Sequence, residues 1–184
     1  MERKIYQKLL HWKNNNINMP YMLIGARQTG KTYILTKFCQ NEFENFLYLN
    51  LDSMTDITAI FENTIEPEQI IKNIEAILSI DINIDNTIIF IDEIQVSEKA
   101  ICSLKYFCES PNNYKIVVAG SLLGVKINRF KSSFPVGKVW IEHLYPMDFE
   151  EFLLATGENK LLDLIKQSYK EMKPLADVVH KKAL

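Results

Sequence analysis

The stretch G-A-R-Q-T-G-K-T at residues 25–32 decides the fold that this 184-residue chain is expected to adopt. It fits the pattern G-x-x-x-x-G-K-[ST] at every fixed position. Its glycines let backbone N–H groups curl round a phosphate without a clash from a Cβ atom. The helix predicted to begin at Lys31 directs the positive end of its dipole at the anion. The stretch therefore predicts a phosphate-binding loop; the alternative is a glycine turn before a capped helix.

The residues of this loop have distinct predicted roles. Lys31 is expected to reach the β- and γ-phosphates of a nucleoside triphosphate and to assist catalysis, and the hydroxyl of Thr32 is expected to bind Mg²⁺. Arg27 and Gln28 hold variable positions of the motif, and an outward orientation of these two towards a partner is the weaker alternative. The predicted nucleotide-binding residues are Gly25, Ala26, Arg27, Gln28, Thr29, Gly30, Lys31, Thr32 and Tyr33.

Strand and helix patterns alternate on both sides of the loop. Short apolar runs predict strands at 21–24, 46–51, 87–91, 115–119 and 139–141. Apolar residues at helical spacing predict helices at 2–13, 31–39, around 57–61, 67–78, 97–108, 149–154 and 161–172. The alternation predicts an α/β protein, a three-layer α/β/α P-loop NTPase domain with a mainly parallel sheet of about five strands and a short helical tail.

Two adjacent carboxylates follow the apolar run Ile88–Ile91, which is the Walker B arrangement. Asp92 is predicted to hold the water shell of Mg²⁺ at the carboxyl end of its strand, next to the phosphate loop. Glu93 is predicted to polarise an attacking water in catalysis. The second acid favours hydrolysis over phosphoryl transfer to another substrate, because a kinase has to exclude water. The alternative is an acidic turn between a strand and a helix.

Further candidate residues follow the strand predicted at 115–119. Ser121 is expected between the two strands that carry the motifs, near the γ-phosphate, where it orients the water; the alternative is a hydroxyl that caps the turn into Leu122. The loop that comes next is basic. An arginine-finger-type cation, a nucleic-acid contact and a solvated loop are its open interpretations, with the solvated loop as the default. Its cations are Lys126, Arg129, Lys131 and Lys138.

The composition limits the class of protein and its compartment. The chain has 21 Lys and Arg against 23 Asp and Glu, and this net charge of -2 is untypical of nucleic-acid clamps and membrane-surface proteins. The odd cysteine count makes a poor disulfide framework, so Cys39, Cys102 and Cys108 are expected to be buried reduced thiols. Trp12 and Trp140 are expected to pack against the fold rather than stack on bases. No signal-peptide pattern and no apolar run near the roughly 20 residues of a membrane helix occur, which predicts a soluble cytoplasmic protein.

Five motifs, in their order and spacing, resemble those of one protein family. They are GARQTGKT at 25–32, IIFIDEIQ at 88–95, AGSLLGV at 119–125, FPVGKV at 134–139 and LYPMDFEEFL at 144–153. The chain resembles the prokaryotic AAA-type ATPases of the AAA_14 class over nearly its whole length. The resemblance implies ATP and Mg²⁺ as cofactors. It assigns a phosphate loop, a Walker B pair and a sensor 1 position, which are carried here by Gly25, Gly30, Lys31 and Thr32, by Asp92 and Glu93, and by Ser121.

The chain departs from the family pattern in two ways. Many relatives carry Gly-Arg, a candidate finger, where this chain has Gly137-Lys138, and a lysine is a point charge that cannot fork onto two phosphate oxygens. Family members also continue through a helical lid and usually a C-terminal domain with a restriction-endonuclease-like fold. We therefore expect an N-terminal helix at 1–20, a P-loop ATPase core at 21–157 and a helical segment at 158–184 that leads to a lid and C-terminal domain beyond this fragment.

Together these patterns predict an ATP–Mg²⁺ binding and hydrolysing domain, slow in this fragment. It is expected to act as a conformational switch or motor for its C-terminal domain or for a partner. A nucleotide-binding regulatory switch with little turnover is the alternative, and a DNA-linked ATPase is another. The expected partners are nucleotide and the chain's own C-terminal domain. A homo-oligomer and nucleic acid stay open as partners, and no membrane partner is expected.

Overall fold

The computed structural model describes residues 3–121 and 134–183 and has the predicted α/β architecture. Within these ranges five strands form one sheet in the order β2-β3-β4-β1-β5, and every neighbouring pair is parallel. All five strands overlap the predicted apolar runs. They are β1 (Tyr21–Gly25), β2 (Asn45–Asn50), β3 (Thr87–Asp92), β4 (Lys115–Ser121) and β5 (Trp140–His143).

Eight α-helices and one short 3-10 helix connect and follow these strands in the described ranges. The α-helices are α1 (Ile5–Asn14), α2 (Lys31–Glu42), α3 (Thr55–Asn63), α4 (Pro67–Leu78), α5 (Glu98–Glu109), α6 (Phe149–Ala155), α7 (Asn159–Glu171) and α8 (Asp177–Ala183), and the 3-10 helix is Ile94–Val96. The hydroxyl of Ser97 accepts the N–H of Ala100 at 3.1 Å, which confirms the predicted N-cap of α5. Helix α2 extends three residues beyond the predicted end at Cys39.

Helices cover both faces of the sheet, because successive side chains of a strand point to opposite faces. On one face of β1, Met22 belongs to a buried apolar cluster that includes Phe61 of α3 and further residues of α4 and α5. On the other face, the ring of Tyr21 lies edge-on to Trp12 of α1, with centroids 5.8 Å apart. Trp12 in turn contacts Phe38 of α2. This arrangement is the predicted three-layer α/β/α sandwich.

The strand order places the carboxyl ends of β1, β4 and β3 side by side. Strand β4 lies between β1 and β3, and Gly25 at the end of β1 pairs with Ser121 at the end of β4. On the far side of β3, Asp92 pairs with Asn50 at the end of β2. In open parallel sheets, ligands bind at this carboxyl edge where the chain changes direction between neighbouring strands.

The described residues form two compact units, residues 8–145 and residues 3–7 with 146–183. The first contains the sheet. The second contains α6, α7 and α8 and a small buried core of Leu153, Leu161 and Leu162. The predicted division of the chain at residues 20 and 157 stays a prediction.

Charged contacts within the second unit fix the beginning of α6. Asp148 accepts the backbone N–H of Glu151 at 2.9 Å, and the Glu151 side chain accepts the backbone N–H of Asp148 at 3.3 Å, which makes a capping box. The ammonium of Lys4 lies 2.7 Å from Asp148 and 2.8 Å from Glu150. Arg3 pairs with the buried Glu151 at 3.2 Å. The predicted acidic helix therefore begins in a network of ion pairs.

The cysteines and tryptophans meet the sequence expectations in part. All three cysteines are free thiols, and burial raises the pKa of Cys39 to about 12. The prediction that all three are buried is wrong for Cys102 and Cys108, which lie at the flanks of α5 and are half-buried. Trp12 is buried and donates to the carbonyl of Met19 at 2.8 Å, and Trp140 is half-buried, so both serve in packing.

None of the helices in the two described ranges combines the length and the apolar character that crossing a bilayer requires.

Candidate nucleotide-binding site

The loop between β1 and α2 needs glycine at both of its ends for different reasons. A Cβ at position 25 would overlap the carbonyl oxygen of Leu144, whose own N–H donates to Ile24 at 2.8 Å. Because the oxygen of Leu144 belongs to the backbone and a Cβ is fixed directly to its own backbone, no side-chain rotation could relieve this overlap. Gly30 has φ 91°, in the left-handed region that favours glycine, and is the N-cap of α2. The loop geometry therefore depends on both fixed glycines of the motif.

The loop between these glycines is a compact turn with an internal hydrogen bond. The hydroxyl of Thr29 donates to the carbonyl of Ala26 at 3.0 Å, and Gln28 has a left-handed backbone with φ 64°. Gly30 has no side chain to cap α2, so the N–H groups of the first helical turn have no side-chain acceptor there. Such N–H groups at the positive end of a helix form a binding site for an anion.

Lys31 is the first residue of α2 and points back into the loop. Its ammonium donates to the carbonyls of Gly25 at 3.0 Å and Ala26 at 2.6 Å, and the residue is only 8% exposed. Burial lowers the pKa of Lys31, and the negative charges of Glu93 and Asp92 oppose this shift. None of the ion pairs between described residues includes this ammonium. The loop therefore holds a buried positive charge whose present partners are neutral carbonyls.

The phosphate loop and the acidic strand end meet at Thr32 and Asp92. The Thr32 hydroxyl donates to Asp92 Oδ2 at 2.8 Å, although 60 residues separate them in the chain. Asp92 is buried, and three donors hold it. Its Oδ2 also accepts from the hydroxyl of Tyr48 at 3.1 Å, and its Oδ1 accepts the N–H of Glu93 at 2.9 Å. A hydroxyl and a fixed carboxylate in contact are the oxygen donors that Mg²⁺ prefers.

Glu93 follows Asp92 in an unusual backbone conformation. Its φ of 52° and ψ of 40° are left-handed, and it is the N-cap of the 3-10 helix. A non-glycine residue there costs of order 1–2 kcal/mol, which is tolerated when the surrounding structure determines it. The carboxylate accepts from the Gln95 amide, and the hydroxyl of Ser121 lies 3.5 Å away. This backbone conformation brings the second acid of the pair to the wall of the cleft.

Ser121 is the buried last residue of β4. Its N–H donates to Gln95 Oε1 at 3.1 Å, and its hydroxyl lies 3.2 Å from Gln95 Nε2. Within the described residues the Ser121 hydroxyl thus lies beside Glu93 and Gln95. The alternative of a cap for the turn into Leu122 concerns residues 122–133, which lie outside the described ranges.

A cleft of about 810 Å³ opens at this edge of the sheet. Most of the residues predicted for the site line it, together with three further ones. The lining residues are Arg27, Gln28, Gly30, Lys31, Thr32, Tyr33, Glu93 and Ser121 from the predictions, with Asp52, Gln95 and Val96 in addition. Gly25, Ala26, Thr29 and Asp92 support this wall from behind through the contacts described above.

Sequence reasoning missed Tyr48, Asp52 and Gln95 as members of the site. Tyr48 and Asp52 lie near the end of β2, and β2 borders β3. The alternation of strands and helices predicts a parallel sheet, and the ends of its strands meet at one edge. This pattern therefore indicates that both residues lie near the site. Gln95 belongs to one of the five motifs of the family resemblance, which assigns it no role. Its contacts depend on the turn after Glu93, which no residue pattern reveals.

A family model for AAA domains, AAA_14, matches residues 18–153, and this range includes every site residue described above. The chain belongs to the AAA_14 family. Among curated proteins, none matches the sequence of this AAA domain.

Three solved structures illustrate what this chain is similar to. Orc1 from Aeropyrum pernix, in complex with DNA, aligns with 90% of the present chain and 48% of its own chain, at 14% identity and a TM-score of 0.52. The Pif1 helicase from Candida albicans aligns with 99% of the present chain and 47% of its own chain, at 13% identity and a TM-score of 0.49. Cdc6p from Pyrobaculum aerophilum aligns with 90% of the present chain and 48% of its own chain, at 17% identity and a TM-score of 0.45.

The chain thus spans about half the length of these three proteins. At 14% identity, the likeness to Orc1 shows a shared fold alone.

Lys138 is the one cation candidate of the basic loop within the described residues, and it does not line the cleft. Lys138 lies just before β5 and pairs with Glu109 at 2.9 Å, a contact that raises the pKa of Lys138. Since Trp140 at the start of β5 pairs with Tyr21 at the start of β1, Lys138 is at the opposite edge of the sheet from Gly25. Lys126, Arg129 and Lys131 lie outside the described residues.

Proposed function

We propose that this AAA-type P-loop ATPase domain binds ATP with Mg²⁺ and hydrolyses it. The observation that carries the proposal is the 2.8 Å contact between the Thr32 hydroxyl and Asp92. It joins the last residue of the phosphate loop to the first residue of the acidic pair. Two motifs that are distant in the chain thereby meet at one wall of a cleft large enough for a nucleotide.

The residues at the loop fit a triphosphate. Lys31 is a buried cation whose partners are carbonyl oxygens, and a phosphate oxygen offers the ammonium a full negative charge instead. Gly30 leaves the first N–H groups of α2 without a side-chain cap, which suits an anion at the same place. We assign the binding of the phosphates to residues 25–33 on this basis.

The residues at Asp92 fit Mg²⁺. The Thr32 hydroxyl is a direct ligand in our proposal, and Asp92 holds the metal through its water shell. When bound, Mg²⁺ neutralises charge that develops on the phosphate oxygens. Asp92 is held by Tyr48 and by the N–H of Glu93, so its carboxylate is oriented before any ligand arrives.

In our proposal, Glu93 and Ser121 activate and orient the water that attacks the phosphate. The Glu93 carboxylate accepts a proton from the attacking water, and the Ser121 hydroxyl helps to orient that water. Lys31 stabilises negative charge on the phosphates as the bond to the leaving group breaks. A regulatory switch with little turnover is the alternative, and it requires the same binding residues without the action of Glu93.

Replacing Glu93 by glutamine separates the two functions. We expect Glu93→Gln to bind ATP with Mg²⁺ as the parent protein does and to lose about 100-fold or more in turnover, because a neutral amide cannot accept the proton. Binding is measured by calorimetry and turnover by phosphate release. The matched control is Glu66→Gln, at an exposed position that does not line the cleft. Equal turnover in Glu93→Gln and the parent protein would contradict hydrolysis at this site.

The larger role of the domain concerns what nucleotide turnover moves. We propose that turnover changes the position of a further part of the protein or of a partner. The family resemblance supports this role, together with the helical segment at 158–184 as the connection. The endonuclease-like C-terminal domain, self-association and contact with nucleic acid stay predictions.

A further inference from the structure

Gln95 connects the two residues that flank the proposed water site. It lies on the 3-10 helix two positions after Glu93, and its side chain is half-buried at the wall of the cleft. Its Oε1 accepts the backbone N–H of Ser121 at 3.1 Å. Its Nε2 donates to the carboxylate of Glu93 and lies 3.2 Å from the Ser121 hydroxyl. Both polar atoms of the amide therefore have partners within the site.

These partners define which way the amide of Gln95 points. A backbone N–H can only donate, so the atom that faces the N–H of Ser121 is the amide oxygen. A carboxylate accepts, so the atom that faces Glu93 is the amide nitrogen. The opposite orientation would break both hydrogen bonds. The amide thus links the turn after β3 to the end of the neighbouring strand β4.

We propose that Gln95 is a positioning residue that holds the Glu93 carboxylate beside Ser121, facing the cleft. The inference rests on the proposed hydrolysis of ATP. In the described residues the side chain of Glu93 contacts donors from Gln95 and Ser121 alone, and a glutamate without such partners has several rotamers to choose from.

An amide suits this task better than a cation does. It is neutral, so it fixes the direction of the carboxylate without the strong stabilisation of the negative charge that lysine or arginine would bring. A carboxylate stabilised in that way would be a poorer proton acceptor. Gln95 therefore orients Glu93 through a neutral donor.

Replacing Gln95 by methionine tests the positioning role. Methionine has a similar length and no hydrogen-bonding amide. We expect kcat for Mg²⁺-dependent ATP hydrolysis to fall by roughly 10- to 100-fold, the range typical for loss of a group that orients a reactive side chain. The dissociation constant for ATP with Mg²⁺, measured by calorimetry, is expected to stay within about threefold of the parent value, because Gln95 orients Glu93 rather than the phosphates. The matched control is Gln40→Met at an exposed site on α2, with parental kcat and affinity.

A second measurement needs neither turnover nor a change at Gln95. In the nucleotide-free protein, the side-chain amide resonance of Gln95 in a ¹⁵N NMR spectrum is expected to move when Glu93 is replaced by glutamine. The resonance of the exposed Gln40 amide is expected to stay. This readout reports the contact itself, and kcat reports its consequence.

The outcomes separate this inference from the function on which it rests. Parental or increased kcat in Gln95→Met, with turnover lost in Glu93→Gln, overturns the positioning role and leaves hydrolysis intact. An unchanged Gln95 resonance in Glu93→Gln overturns the contact. Parental turnover in Glu93→Gln overturns both the proposed function and the role of Gln95.

Discussion

At the scale of single residues, Asp92 shows how hydrogen-bond donors from different parts of the fold fix one carboxylate of the candidate site. Its two oxygens together accept from a hydroxyl, a phenol and a backbone N–H. The phenol belongs to Tyr48, which reaches across from the outer strand β2. Burial is the main cause that raises the pKa of Tyr48, so this phenol keeps its proton and remains a donor at neutral pH.

Loss of the Tyr48 hydroxyl should therefore alter the response to Mg²⁺. In Tyr48→Phe we expect the Mg²⁺ concentration for half-maximal nucleotide binding to rise by a few-fold to about tenfold, because Asp92 loses one of its orienting donors. Titration of Mg²⁺ at fixed ATP, followed by calorimetry, measures this change. Tyr169→Phe on the exposed surface of α7 is the control. A parental Mg²⁺ requirement in Tyr48→Phe would exclude an orienting role for the phenol.

At the scale of elements, the start of α6 combines a capping box with ion pairs from Lys4. The hydrogen bond from Lys4 lowers the pKa of Asp148 below its usual 3.8 and that of Glu150 below its usual 4.5. The carboxyls of Asp148 and Glu150 hold protons less tightly in the folded state than in the unfolded chain. Their ion pairs therefore contribute fully to the free energy of unfolding when the pH lies above the usual pKa values of these groups. This contribution is lost as the pH falls through the lowered pKa values.

The effect of removing Lys4 should consequently depend on pH. We expect Lys4→Ala to reduce the free energy of unfolding at about pH 7 and to have a progressively smaller effect below about pH 4, where the carboxylates of both proteins become protonated. The effect is small, because the contacts are exposed. Urea unfolding at several pH values measures it, with Lys170→Ala on α7 as the control. A Lys4→Ala penalty of equal size at all pH values would argue against the ion pairs as its source.

At the scale of the whole molecule, nucleotide binding should be visible as thermal stabilisation. A ligand that binds only the folded state at 100 times its dissociation constant contributes about 2.7 kcal/mol, which corresponds to a rise of about 5–10 °C in the melting midpoint of a chain of this size. We expect ATP with Mg²⁺ to produce this rise in the parent protein. Lys31→Ala should lose it, because its ammonium is the buried cation of the loop.

The control for Lys31→Ala is Lys72→Ala, at an exposed position on α4, which should keep the full rise. A rise in Lys31→Ala as large as in the parent protein would place the nucleotide elsewhere in the molecule.

The fold could be predicted from the sequence because its signals are local. The apolar runs of β1, β3 and β4 are uninterrupted, since helices cover both faces of the sheet, and the phosphate loop marks the passage from β1 into α2. Sequence alone also placed the strand that ends at Ser121 between the two motif-bearing strands. The half-buried state of Cys102 and Cys108 was not predicted, because it depends on how α5 is rotated against the sheet.

The sequence predicts those site residues that belong to a motif. It does not predict the residues that join the site only through tertiary contacts. Lys31, Thr32 and Asp92 stand in a recognisable pattern, and the structure brings them together. The steric need for glycine at position 25 comes from Leu144, more than a hundred residues later in the chain. Tyr48 and Gln95 act through side-chain hydrogen bonds. The order of the strands indicates that Tyr48 lies near Asp92, whereas the turn that directs Gln95 follows no period or spacing in the sequence.

The left-handed backbone of Glu93 affects which residues evolution favours at this position. Glycine adopts this conformation without the cost that a side chain brings, so Glu93→Gly would relieve about 1–2 kcal/mol of local strain while removing the carboxylate. In the proposed function, stability and turnover thus favour different residues at this position. Where selection for hydrolysis is lost, we expect substitution by glycine at this position. The resulting domain would have a more stable fold and would bind nucleotide without hydrolysing it.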